Sequence, residues 1–190
     1  MTHDYITTYT GKKFPLLDPS PDDVCIEDIA HHLARICRYT GAIGDGVSSS
    51  YYSVAEHSVF VALCAPVQYR MAALLHDAAE AYIGDLSRPL KYLAGMQAYR
   101  DMDAKIEAVI AKKFNLEYPW PAIVKELDSR IILDEKATFL KDQDWAAEDC
   151  ERWDVLDTPL GVQLRGWLPR EAEAAFMETY WTLGERVRRV

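Results

Sequence analysis

Apolar positions along most of this chain recur at three- and four-residue steps, the spacing that lines one face of an α-helix. Ile26, Ile29, Leu33 and Ile36 make the first stripe, with Asp22 or Asp23 as candidate caps, and Arg38-Tyr39-Thr40-Gly41 ends it. Ser53-Val54-Ala55-Glu56 reads as a capping box, in which the serine side chain accepts from the Glu56 amide and Glu56 reaches back to the Ser53 amide. That box predicts a helix running to Cys64 and broken by Pro66, then a second helix over roughly Val67–Tyr82 that stops at Gly84. Met102, Ile106, Val109, Ile110 and Phe114 form another stripe, and beyond Pro119 and Pro121 a helix is expected over about Ala122–Leu140. Pro169 opens a last helix as its first residue, with Ala172, Phe176, Tyr180, Leu183 and Val187 on one face. Residues 5–18 carry β-formers around Thr10-Gly11 and suit a short hairpin or an irregular strap. GAIGDGVSSS, at 41–50, reads as a loop, and the acidic residues 141–161, with Trp145 and Trp153, as a surface excursion. With no repeat and no separating linker, the pattern predicts one all-α domain over 1–190, a bundle of about six helices behind a short N-terminal segment.

Composition narrows this picture without changing it. A chain of 190 residues, 49% apolar and 27% charged, can bury a real core. The N-terminus has no apolar stretch of the signal-peptide kind, and VFVALCAPV is too short to cross a bilayer, so a cytoplasmic protein away from membranes is expected. Cys25, Cys37, Cys64 and Cys150 are scattered with no CxxC pair, which argues against a zinc ribbon, a redox motif or a disulfide framework. Thirty acidic against 21 basic residues give a net charge of −9, which opposes binding to nucleic acid or an anionic membrane. A small anionic substrate stays compatible, because a site needs only local cations or a metal.

The candidate chemistry begins with five histidines. His3 lies in the N-terminal tail, and His31 and His32 on the first amphipathic helix read as structural. His57 and His76 keep more unusual company. His76 and Glu80 share a helix face, and Asp77 is offset by about 100°; HDxxE alone is a weak signal, with a surface ion pair as the plain alternative. Asp128 sits at the edge of the stripe containing Ile131 and Ile132, with Glu135 on the same side and Asp134 nearer the outward face. A buried carboxylate needs a compensating charge, which Lys125 or Arg130 could supply only by bending inwards. Two imidazoles, His57 and His76, and two carboxylates, Asp77 and Asp128, make an N2O2 set suited to one divalent first-row ion.

These motifs resemble those of the HD-domain metal-dependent phosphohydrolases, particularly the small single-domain nucleotide hydrolases. They are AEH at His57, HDAAE from His76 to Glu80, GDLSRPLK, KELDSRIILDE around Asp128, and an early Arg38-aromatic pair. The likeness runs over about residues 8–140, and the final helix also fits. It implies that His57, His76, Asp77 and Asp128 bind one divalent ion (Mn, Co, Ni, Fe, Zn or Mg), with Asp77 and Glu80 in catalysis and Glu80 orienting or deprotonating the attacking water. Arg38 and Lys91 match substrate-phosphate contacts, and Asp85 matches a carboxylate near the sugar and leaving group. Tyr39 departs from the tryptophan common in the deoxynucleotidase branch, so sugar selectivity is open. Ala81 after Glu80 differs from the guanosine-tetraphosphate hydrolases, and no GYP segment of the cyclic-dinucleotide type is present. The favoured activity is a deoxynucleoside 5′-monophosphate phosphatase. The alternatives are a dNTP triphosphohydrolase, for which Arg70 and Arg88 are candidate extra cations, and a non-catalytic binding or regulatory module. The tryptophan-bearing excursion and the last helix are candidate contact surfaces for a homo-oligomer.

Overall fold

Val54 to Ala62 is apolar on every side except at Glu56, His57 and Ser58, and a helix with no polar stripe belongs at the centre of a bundle. That is its place in the computed structural model, which describes residues 4–44, 51–140 and 158–187. The chain opens with strands β1 (Tyr5–Thr7) and β2 (Lys13–Pro15), then α1 (Ile26–Leu33), a 3-10 turn over Arg38–Gly41 and the central α2 (Val54–Cys64). A broken helical stretch follows as α3 (Arg70–Leu75), α4 (Glu80–Ile83) and α5 (Arg88–Lys91). The long helices α6 (Gln97–Lys113), α7 (Ala122–Phe139) and α8 (Pro169–Val187) complete the described chain. α2 packs against α3, α7 and α8, and α1 packs against α4 and α8. Their apolar faces merge into one core that includes Ile29, Leu33, Leu74, Leu75, Ile106, Ile110, Ile131 and Phe176.

The fold is therefore all-α with a small N-terminal hairpin, as the periodicity predicts. β1 and β2 pair antiparallel, Ile6 opposite Phe14, and the buried Phe14 ring stacks on Tyr82 at 3.7 Å. The turn between the strands is tied to α1, where the Asp28 carboxylate accepts from Thr10 N at 2.7 Å and Thr10 Oγ1 at 2.9 Å. Pro169 does open the last helix, and Gly84, at φ 79°, does end α4, in the left-handed region that glycine enters without a Cβ clash.

Several local expectations are corrected. Asp22 and Asp23 do not cap α1: the N-cap is Cys25, which makes no side-chain capping bond, and Asp23 instead accepts from Ser20. The helix expected over Val67–Tyr82 is interrupted at His76–Ala79, where Ala78, Glu80, Ala81 and Tyr82 donate three residues back. The capping box is half formed. Glu56 N donates to Ser53 Oγ at 3.1 Å, but the Glu56 carboxylate turns the other way and accepts from the amides of Arg165, Gly166 and Trp167 at 2.8, 3.0 and 2.6 Å. Asp134 is buried rather than outward, and its carboxylate accepts from the amides of Leu160, Gly161 and Val162. These two acids fasten the segment between α7 and α8. Most of the 141–161 excursion, with Trp145, Trp153 and Cys150, lies outside the described residues, as do His3 and most of the 41–50 loop. Cys25, Cys37 and Cys64 are free thiols. Among the described residues no helix is long and apolar enough to cross a membrane.

Candidate metal centre and cavity

Four elements bring the site together. α2 carries His57 in its first turns, the tight turn after α3 carries His76 and Asp77, α7 carries Asp128 and Glu135, and the 3-10 turn carries Arg38 and Tyr39. That last turn is locked to the start of α2, because Arg38 N donates to Tyr52 O at 2.9 Å and Val54 N to Ile36 O at 3.1 Å. Asp128 and Glu135 are seven residues apart on α7, two turns along one face.

The Nε2 atoms of His57 and His76 lie 3.4 Å apart. Asp128 Oδ1 is 3.1 Å from the first and 3.7 Å from the second, and Asp77 Oδ2 is 3.5 and 3.4 Å from them. His57, His76 and Asp128 thus form a group that could hold a metal ion. The donor chemistry fits one. His57 Nδ1 donates to the acceptor-only Glu135 carboxylate at 2.7 Å, and His76 Nδ1 donates to Ala73 O at 2.7 Å. Both neutral rings then present an Nε2 lone pair to the same point, the arrangement typical of metal-binding histidines. A proton and a cation would compete for these two nitrogens. Burial disfavours charge on His76, yet Asp77 and Asp128 outweigh it and raise its pKa to about 9. Burial likewise opposes the Asp128 charge, but the two imidazoles hold its carboxyl well below the usual range. The two acids thus draw positive charge, a proton or a cation, to the Nε2 atoms.

The site opens into a cavity of about 450 Å³. Arg38, Tyr39, Asp77, Glu80, Asp85, Lys91 and Asp128 line it, so the candidate residues from the 3-10 turn, from the stretch between α3 and α5 and from α7 share one space. His57 and His76 lie behind the lining acids Asp77 and Asp128, 0% and 7% exposed. Glu80 Oε2 is buried with no hydrogen-bond partner among the described residues. Burial, then Asp77 and Asp85, pushes its carboxyl well above the ordinary carboxylate range. Burial also raises Asp85. Lys91 Nζ pairs with the buried Asp103 at 2.5 Å, and this partner outweighs burial in keeping the ammonium charged.

Arg38 lines the cavity and is engaged there by acids, its Nε 3.2 Å from Glu135 Oε1 and its Nη1 3.7 Å from Asp77. The Tyr39 hydroxyl donates to Glu135, although its ring still lines the cavity. Arg70 faces away, donating to Ala65 O and Leu63 O, and Arg130 donates to Thr158 O and Pro159 O. Arg88 does line the cavity and is joined there by Lys125, which sequence reasoning considered only as a partner for Asp128. Glu135 is the main omission. It was placed on the right face by its spacing from Asp128, but nothing in its neighbourhood along the chain shows that it is fully buried or what it binds. His31 stacks on Tyr9 at 3.5 Å and His32 bridges Tyr9 N and Ala81 O, the structural roles expected of both.

Fold and site together define an all-α protein with a candidate metal centre of two histidines and an aspartate beside a charged cavity. No family model matches the chain. Two proteins are similar to it along nearly their whole lengths. The uncharacterized protein YfdR of Escherichia coli K12 is 34% identical over 184 residues, 95% of this chain and 96% of YfdR. An uncharacterized protein of Rhodobacter capsulatus is 35% identical over 192 residues, 92% of each chain. At that identity and coverage the chain belongs to the family of these proteins.

Proposed function

We propose that the protein is a metal-dependent phosphohydrolase of the HD-domain type that removes phosphate from nucleoside 5′-monophosphates, deoxynucleotides by preference. The observation that carries this reading is the convergence of His57, His76, Asp77 and Asp128 beside a cavity that also holds the unpartnered Glu80 and the cations Arg38 and Lys91. Held by the two imidazoles and two carboxylates, a divalent ion would polarise a phosphoryl oxygen and make water more acidic. Two nitrogen and two oxygen donors favour Mn, Co, Ni, Fe or Zn, and Mg is compatible with the oxygen donors.

The chain's own residues then divide the remaining work. Glu80 accepts a proton from the attacking water, a task for which its buried, unpartnered Oε2 beside the cavity is placed. Arg38, fixed by Glu135 and Asp77, and Lys91, fixed by Asp103, meet the charge on the phosphoryl oxygens. Asp85 lies where it can accept from a sugar hydroxyl, and the Tyr39 ring bounds the same space.

A second reading, release of triphosphate from a dNTP, draws support from Arg88 and Lys125, which extend the cationic wall. Incubation with dAMP and with dATP in the presence of Mn(II) or Co(II), with separation of phosphate from triphosphate, tests both. Phosphate released from dAMP, and a fall of about 10²–10⁴-fold in Glu80→Gln, is expected. Faster appearance of triphosphate from dATP would reverse the order of the two readings. No turnover of either would leave the chain as a binding module and overturn the enzymatic proposal.

A further inference from the structure

Glu135 is 0% exposed, and charge in such a place is expensive unless every lone pair is used. Here all of them are. Oε1 accepts from His57 Nδ1 at 2.7 Å and from the Tyr52 hydroxyl at 2.7 Å, while Oε2 accepts from Arg38 Nη2 at 3.2 Å and from the Tyr39 hydroxyl. A carboxylate offers about four acceptor positions and no donor, so two bonds on each oxygen saturate it. A glutamine could not replace it, because its amide group would turn a donor towards donors.

The four donors come from three separate places: α2, the residue before its cap, and the 3-10 turn. In that turn Tyr39 and Thr40 adopt φ 55° and 51°, a left-handed backbone that non-glycine residues enter at a cost. The bonds from Arg38 and Tyr39 to Glu135 hold the turn in this shape. The bond from His57 keeps the proton on Nδ1 and aims Nε2 at the metal-capable cluster.

We infer that Glu135 is a positioning residue that fixes His57 for metal and Arg38 for phosphate at once, so that loss of this single carboxylate weakens both. The inference rests on the phosphohydrolase reading for the role of Arg38, and on the metal centre for that of His57. Arg38 and His57 touch different parts of the reacting assembly and make no direct bond to each other in the contacts described. Glu135 is what joins them.

Calorimetric titration of the full chain with Co(II), and of the Co(II)-loaded chain with inorganic phosphate, tests this in wild type and Glu135→Gln. Glu135→Gln is expected to lose roughly 10–100-fold in Co(II) affinity, the usual effect of removing a partner behind a ligating histidine, and to bind phosphate more weakly as well. Equal Co(II) affinity in the two proteins overturns the inference and leaves the proposed function standing. Absence of Co(II) binding by the wild type overturns both. Should Glu135→Gln fail to fold, ¹⁵N NMR of the wild-type chain loaded with Zn(II) decides the matter. A His57 ring protonated at Nδ1, its proton slow to exchange, supports the inference, and a ring protonated at Nε2 overturns it.

Discussion

Replacing Glu56 should unfasten the segment that leads into α8. The Glu56 carboxylate is 0% exposed and receives three consecutive amides, those of Arg165, Gly166 and Trp167, from 109 to 111 residues away. Glu56→Ala strands three donors in a largely dry place. At about 1–3 kcal/mol for each unsatisfied buried donor, and less where water can reach, the sum is about 3–5 kcal/mol. Glu56→Gln behaves differently. Its amide oxygen can take the Oε1 position and keep the Arg165 and Gly166 bonds, losing only Trp167. Burial raises the Glu56 pKa against the pull of the three amides, so the charged form carries a desolvation cost that glutamine escapes. The expected cost of Glu56→Gln is therefore about 1–3 kcal/mol, that of the one stranded amide, and smaller than that of Glu56→Ala. Urea unfolding followed by circular dichroism measures both values, and hydrogen exchange of the 165–167 amides locates the loss. The reasoning fails if Glu56→Ala costs under about 1 kcal/mol, or if those amides stay as protected as in the wild type.

Three other outcomes are expected. His76→Asn should lower Co(II) affinity by more than about 100-fold by calorimetry, since it removes a ligating nitrogen rather than a partner behind one; unchanged affinity would remove His76 from the metal centre. Lys91→Met should raise the KM for a nucleoside monophosphate by about tenfold or more with Co(II) affinity unchanged, as expected for loss of one charge-assisted bond to phosphate. Glu107 accepts from Tyr118 Oη and Trp120 Nε1, but burial and then Asp103 push its carboxyl up to about 7. The folded chain therefore holds a proton that the unfolded chain releases near pH 4.5, so stability falls as pH rises from about 4.5 to 7, by about 1–3 kcal/mol, and is flat above. Glu107→Gln should flatten that slope in urea titrations across this range, and a slope equal to that of the wild type would refute the assignment.

Periodicity in the sequence reports which face of a helix is buried, and for α1, α6, α7 and α8 that is enough to place the helices and much of the core. It does not report what a polar group on that face meets. Ser53 and Glu56 look like a capping box because both halves are local, yet only the serine half forms; the partners of Glu56 lie at the far end of the chain. Asp134 looks outward from its angle on α7, yet it receives the returning amides of 160–162. The break at His76–Ala79 contains neither proline nor glycine, so no residue there announces it. The cavity residues were more legible than these structural acids, because a set of histidines and acids in a fixed order constrains the chemistry even when the path between them is misread. Four of the proposed ligands and contacts, His57, His76, Asp77 and Asp128, lie within 3.1 to 3.7 Å of one another in the pairs that bring each imidazole to each carboxylate.

Buried acids in this fold sort themselves by what fills their lone pairs. Glu56 and Asp134 each take three backbone amides, and Glu135 takes four side-chain donors. Each is satisfied by the chain itself and acts as a fastener between segments far apart in sequence. Glu80 is the opposite case, with a buried oxygen for which the described residues supply no hydrogen. Asp77 and Asp128 are partly exposed to the cavity and face the Nε2 atoms of both rings, and Arg38 Nη1 lies 3.7 Å from Asp77. An unfilled buried acceptor is a burden on a scaffold with no use for it. An acid whose partners all belong to the chain stabilises the fold, and an acid whose partner must come from outside is where a cation, a water or a substrate belongs. On that criterion Glu80 is a buried acid left open to a cation, a water or a substrate, and Glu135 stands at the boundary, filled by the chain yet bonded to both His57 and Arg38.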